Sequence, residues 1–129
     1  MPWDIRAWHE RLERLSSHNP DAWSPAIDVY ETADAYMIAA EVPGVSRDQI
    51  DLALEESRLT IRGHRSDRHA RKDGRHFHQI ERGFGLFVRT FEFADKIDVD
   101  RVTADLSDGV LTIALPKIPP PPARRITVK

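Results

Sequence analysis

The chain has 129 residues, 40% apolar and 31% charged, with 19 Lys and Arg against 21 Asp and Glu. That suits one domain with short extensions and leaves two ordinary domains cramped, and a net charge of −2 gives no general pull toward nucleic acid or anionic membrane. Cysteine is absent, which excludes disulfides, thiolate catalysis and Cys-ligated metal.

Residues 3–17 read as a helix, with Ile5, Trp8, Leu12 and Leu15 at helical spacing and Arg6, Glu10, Arg11, Glu13 and Arg14 on the other positions. At about fifteen residues it is marginal alone and needs a partner surface. That surface is its own domain, another subunit or a client protein, and Trp3 and Trp8 suit any of these. Pro20 and Pro25 then break the chain.

From residue 26 to 115 the period changes from helical to two. Ile27–Tyr30 is a short strand. Tyr36, Ile38, Ala40 and Val42 alternate in the next, and Pro43-Gly44 ends it in a turn. Ser46–Gln49 suits one helical turn. Ile50, Leu52 and Leu54 alternate, as do Leu59 and Ile61. Leu86–Phe93 is rich in β-branched and aromatic residues. Val102, Ala104 and Leu106 alternate, then Asp108-Gly109 turns the chain tightly into Val110–Leu115. About seven short strands at this spacing predict an all-β fold, an immunoglobulin-like antiparallel sandwich.

Residues 63–83 are too long and polar for a hairpin loop, and His76–Ile80 within them suits another short strand. Charge is segregated: residues 25–61 carry −6, residues 62–75 carry +4 and residues 118–129 carry +3. Such separation favours contacts between segments or subunits. Pro119–Pro122 form an extended, semi-rigid spacer before Arg124–Lys129. Beyond it Ile126 and Val128, two residues apart, point to one side of an extended strand, ready for an apolar groove.

No nucleophile elbow or phosphate loop occurs, and the acidic residues fall mostly on solvated strand positions, so no catalytic residue is assigned. No cofactor is expected. His76 and His78 would share one face of a strand, a pattern able to bind zinc or nickel, but a polar loop that happens to carry histidines is the better reading, and no metal ligand is assigned. The basic segment 62–75 has no aromatic residue for base stacking, which argues against nucleic acid. The longest apolar run, Ala35–Ala40, is six residues, too short to span a membrane, and the N-terminus lacks the order of a signal peptide. A cytoplasmic location is expected.

Six ordered blocks carry a resemblance. They are Trp23-x-Pro25-x-x-Asp28-Val29-Tyr30-Glu31, Glu41-Val42-Pro43-Gly44-Val45, Leu59-Thr60-Ile61-Arg62-Gly63, the run from Glu81 to Phe91, Ala104-x-x-x-x-Gly109-Val110-Leu111, and Leu115-Pro116-Lys117. Together they resemble the α-crystallin domain of small heat-shock proteins. The resemblance implies an N-terminal arm at 1–24, partly helical, an α-crystallin domain at 25–117 with an exchange loop at about 64–83, and a C-terminal extension at 118–129. It implies an ATP-independent holdase, a homodimer assembling into a larger homo-oligomer that binds unfolded clients. In that scheme His76, Phe77, His78, Gln79 and Ile80 form a strand exchanged with the partner, and Arg89 lies near the dimer contact. Ile126 and Val128 anchor in a groove walled by Leu52, Leu54, Val102, Ala104 and Leu106 of another dimer. Trp3, Ile5, Trp8, Leu12 and Leu15 serve as client or arm contacts. The runner-up reading, a co-chaperone or assembly adaptor on the same sandwich, would lack both the Ile-x-Val anchor and the exchange loop.

Overall fold

The computed structural model describes residues 23–66 and 74–129. The expected helix at 3–17, with Trp3, Ile5, Trp8, Leu12 and Leu15, lies outside the described residues, as does part of the long loop. Among the described residues the strands are β1 (Ile27–Glu31), β2 (Ala35–Glu41), β3 (Ile50–Glu55), β4 (Arg58–Arg65), β5 (Gly85–Glu92), β6 (Thr103–Ser107) and β7 (Val110–Pro116). They form two sheets, ordered β1-β2-β7-β6 and β3-β4-β5, with every pairing antiparallel. The all-β sandwich is the architecture that the alternation predicts.

Period two dictates which face each strand buries. On β2, Tyr36, Ile38 and Ala40 turn inward, and on β7 Leu111, Ile113 and Leu115 do the same. They lie in register, Tyr36 opposite Leu115, Ile38 opposite Ile113 and Ala40 opposite Leu111. The second sheet meets them with Leu59 and Ile61 of β4 and with Phe87 and Phe91 of β5. β-Branched and aromatic side chains fill such a pleated interior well.

Two turns show why the chain reverses where it does. Asp108 and Gly109 have φ of 53° and 77°, the doubly left-handed pair that a two-residue hairpin requires, so β6 runs directly into β7. Glu56 and Ser57 link β3 to β4, with only Glu56, at φ 57°, in the left-handed region. No residue there advertises a turn, because Glu has no special tolerance of that conformation; holding it costs about 1–2 kcal/mol. The helical turn foreseen at Ser46–Gln49 is a 3-10 turn at Arg47–Gln49, with Gln49 Oε1 accepting from the Ser46 amide at 3.0 Å. A second, at Val99–Arg101, was not foreseen and delays the start of β6 to Thr103.

The short strand expected at His76–Ile80 does not form within the protomer: residues 74–83 run as irregular chain, with Phe77 and Ile80 exposed. A strand needs a ladder partner, and among the described residues no strand edge pairs with that segment. Without a strand, the shared face proposed for His76 and His78 is also lost.

Gly63 shows how tightly the second sheet is packed. The Phe87 ring, opposite it on β5, lies across its α-carbon, so a Cβ there would stand 2.1 Å from Phe87 Cζ. Phe87 is also held edge-on by Trp23, with ring centroids 5.2 Å apart. The ring therefore has nowhere to retreat. Gly63→Ala is expected to lower stability by about 1–3 kcal/mol, the usual cost of overpacking; urea unfolding followed by circular dichroism measures it.

Candidate functional site

The two sheets do not close on each other. β3 is an edge of one and β6 an edge of the other, and neither edge has a strand partner. Between them lies an open groove of about 270 Å³. Its floor and walls are Ile50 and Leu52 of β3, Ala104 and Leu106 of β6, and Leu111 of β7. Arg47 and Asp105 also line it, placing one charge of each sign at an apolar slot. Of the five wall residues expected from sequence, Leu52, Ala104 and Leu106 line the groove. Leu54 and Val102 are partly buried against the core instead. Arg47, Ile50, Asp105 and Leu111 were missed. Ile50 and Leu111 continue the alternation of Leu52 and Val110–Leu115, so their signal was present; Arg47 belongs to a turn and gave none.

The two apolar residues expected to anchor the tail are exposed, Ile126 to 83% and Val128 to 91%. Apolar side chains this exposed at the end of an arm have no partner surface in their own described chain. At the opposite side of the molecule, β1 is the other edge of the four-stranded sheet. Its exposed residues include Asp28, Tyr30 and Glu31. His76, Phe77, His78, Gln79 and Ile80 are all exposed as well, and the Arg75 guanidinium lies 5.4 Å from the Phe77 ring centre.

Arg89, expected near the dimer contact, is buried within the protomer. It shares the inward phase of β5 with Phe87 and Phe91 and is only 4% exposed. Its Nη1 donates to the Pro25 carbonyl at 3.1 Å, and the guanidinium sits 5.5 Å from the Phe91 ring centre. Nε has no hydrogen-bond partner among the described residues. Burial alone lowers its pKa, with no carboxylate acting against it. Within the protomer Arg89 is an interior brace on the segment that enters β1.

A polar cluster that sequence reasoning missed surrounds Lys117. Lys117 Nζ reaches Glu31 Oε2 at 2.5 Å, the Thr32 carbonyl at 2.9 Å and Asp95 Oδ2 at 3.3 Å. Tyr36 Oη donates to Asp95 Oδ2 at 2.7 Å. The Tyr36 hydroxyl and then Lys117 hold the Asp95 carboxyl below its usual value, while burial and that same hydrogen bond raise the Tyr36 phenol. The Leu115-Pro116-Lys117 block was visible in the sequence, but its partners come from distant turns.

Among the described residues, no three His, Asp or Glu side chains converge as metal ligands, and no helix is long and apolar enough to cross a membrane. What the geometry presents is a β-sandwich interaction module, with open strand edges, an apolar groove and an arm tipped with two apolar side chains.

Comparison with known proteins agrees. The model of the Hsp20/alpha crystallin family matches residues 28–129. Spore protein SP21 of Stigmatella aurantiaca is 41% identical over 128 residues, covering 99% of this chain and 75% of its own length. The 17.7 kDa class II heat shock protein of Arabidopsis thaliana is 37% identical, covering 81% of this chain and 67% of its own. Among solved structures, heat shock protein 16.0 of Schizosaccharomyces pombe superposes with a TM-score of 0.71 at 35% identity, over 83% of this chain and 99% of that one. A small heat-shock protein of Xylella fastidiosa, described as having a distinct high order structure, gives 0.72 at 34%, over 83% and 97%. The chain belongs to the Hsp20/alpha crystallin family. It is a small heat-shock protein with a chaperone role in the stress response.

The position of Arg89 yields a test. Arg89→Ala empties a buried site and orphans the Pro25 carbonyl, and is expected to lower stability by about 2–5 kcal/mol, the range of large-to-small core changes. Arg89→Met nearly restores the volume and removes the buried charge but still leaves the Pro25 carbonyl unpaired, so its loss should be about 1–3 kcal/mol, smaller than that of Arg89→Ala. Urea midpoints of the two variants, measured side by side, check the order.

Proposed function

We propose that this chain is an ATP-independent holdase that works from a reversible oligomer of dimers. The observation that carries the reading is the pairing of an open apolar groove with an exposed Ile126-x-Val128 arm on the same chain. Each is an unsatisfied surface, and each has the chemistry of the other. An arm laid in extended form between β3 and β6 would offer its backbone to a free strand edge and its two side chains to the slot. The spacer makes a neighbouring subunit the natural host.

Dimer formation uses the other edge. β1 lies in the segment carrying −6, and the segment 62–75 carries +4. In this reading His76–Ile80 gains on the partner's β1 the ladder it lacks at home. Arg89 then serves the dimer indirectly: by fixing Pro25 it holds the strand that receives the partner. Unfolding clients aggregate through apolar patches and strand edges. An assembly whose own grooves and arms are of that kind, covered when assembled and uncovered when it opens, captures them without any covalent step. Nucleotide is therefore not required. Apolar side chains of the N-terminal arm, Trp3, Ile5, Trp8, Leu12 and Leu15, add further client-binding surface.

Magnitudes favour a weak, exchangeable link. Ile126 and Val128 together bury roughly 200 Å² of apolar area, about 5 kcal/mol gross at ~25 cal/mol per Å². Ordering the arm offsets much of that, at roughly 1–2 kcal/mol per residue fixed. Many such links in one closed particle hold it together while each alone opens readily.

Two experiments test this. The double variant Ile126→Ala with Val128→Ala should shift the particle toward dimers on size exclusion while its circular dichroism stays that of a folded sandwich. The parent should suppress light scattering from a heat-unfolding client without ATP; an unsuppressed signal at equimolar chain overturns the holdase reading. Separately, removal of residues 66–80 should give monomers by native mass spectrometry. A dimer that survives the deletion overturns the exchange.

A further inference from the structure

The last contacts of the sandwich with its C-terminal extension are unusually dense. The Lys117 side chain is only 13% exposed; its ammonium donates to Glu31 Oε2 and the Thr32 carbonyl and pairs with Asp95, so two separate stretches of chain hold it. Glu31 ends β1 and Thr32 opens the β1–β2 turn, whereas Asp95 follows β5. The ammonium also lies 4.9 Å from the Tyr36 ring centre. Backbone bonds enclose the same point. Lys117 N donates to the Asp34 carbonyl at 2.8 Å, Ile118 N to the Lys96 carbonyl at 2.9 Å, and Asp98 N to the Pro116 carbonyl at 2.8 Å. Beyond Ile118 the next four residues are prolines, which have no N–H to donate, and residues 119–129 are all exposed. The fold's hold on the chain therefore ends abruptly at Ile118.

An arm clamped at its root and stiff beyond it behaves as a lever. Four residues of polyproline helix span about 12 Å at ~3.1 Å each. If the root swung by roughly 30°, the far end of that lever would move about 6 Å. That is close to the separation of side chains two apart on a strand, about 6.6 Å. An error of this size at residue 117 displaces Ile126 by a whole knob position.

We propose that Lys117 is a positioning residue that sets the direction in which the C-terminal arm leaves the sandwich. Glu31, Thr32 and Asp95 act as its three guides, and the proline run transmits the direction outward. The consequence for assembly, that Lys117 selects which neighbouring groove the anchor reaches, rests on the anchor reading given above. The exit direction itself does not.

Because the chain has no cysteine, two can be introduced as sole labelling points. Ala53→Cys on the exposed face of β3 and Ala123→Cys beyond the prolines, both spin-labelled in the full chain, report the arm's direction by double electron–electron resonance. Labelled chains are diluted into an excess of unlabelled ones. The parent should give one narrow distance distribution. Lys117→Met should broaden it or shift it by about 5 Å or more, the lever estimate above, with the sandwich still folded by circular dichroism. Lys117→Arg, which keeps charge and donors, should retain the narrow distribution. Glu31→Gln, at an exposed acceptor, should broaden it partially and serves if Lys117→Met does not fold. A Lys117→Met or Glu31→Gln distribution as narrow as the parent's, at the same distance, overturns the proposal, since a role in stability alone would change melting and leave direction intact. Native mass spectrometry separates the two readings. With the arm broadened, several particle sizes replacing the parent's support groove selection, whereas unchanged sizes overturn it and leave exit direction standing. Loss of the particle in the Ile126→Ala, Val128→Ala variant, without arm broadening in Lys117→Met, overturns this proposal and leaves the anchor.

Discussion

Four strand edges of this sandwich, those of β1, β3, β5 and β6, end without a strand partner in the described chain. An unpaired edge exposes a row of amide and carbonyl groups that must find water or another chain. Much of the remaining structure answers that constraint. The β5 edge is partly covered from within, where Trp23 donates its amide to the Leu86 carbonyl at 2.9 Å. The β3 and β6 edges flank an apolar slot, so they attract side chains as well as backbone. The β1 edge is polar and acidic, suited to a partner of opposite charge. Edges that would be a hazard in a solitary protein become surfaces of different character.

The interior makes this openness tolerable. Ile38, Ile61, Ile113 and Leu115 are fully buried, and the strand pairs that carry them lie in register across each sheet. A one-residue slip would move every one of these side chains to the wrong face. The core thus fixes register strongly enough for the edges to remain available without disturbing it. Arg89 is the one buried charged side chain among the described residues, and its single bond to Pro25 ties that core to the segment leading into β1.

Strand alternation was legible because it depends only on nearest neighbours in sequence. Ile38, Leu59, Ile113 and their phase mates could be assigned to the interior from period two alone, and Asp108-Gly109 announced its hairpin. Sheet order was not legible, since it is decided by which long-range pairs pack best. The groove was read partly for that reason: Leu52 and Leu106 follow from alternation, but Arg47 enters through a turn whose placement depends on Gln49 bonding Ser66 across the sheet at 3.0 Å. The burial of Arg89 follows from its phase, which matches Phe87 and Phe91 on β5. The Lys117 cluster joins Glu31, Asp95 and Lys117 across wide intervals of chain, and no local pattern encodes such a meeting. The family blocks carried the rest, for they preserve side chains whose reasons lie in the folded arrangement.

Trp23 has a consequence for communication within the molecule. Its indole packs so closely over Gly83 that a Cβ there would stand 2.3 Å away, meets Phe87 edge-on and lies 4.9 Å from the Arg65 guanidinium. Arg65 ends β4, where the long loop departs, and Gly83 is near its return. One aromatic ring therefore touches both ends of that loop and is itself the first described residue after the N-terminal segment. A displacement of Trp23 would therefore reach both roots of the loop, and a displacement of either root would reach Trp23. Thermodynamic linkage makes such coupling reciprocal: whatever engages one side biases the other by the same free energy. The indole is a shared knuckle, so that whatever shifts it acts on both roots of the loop at once.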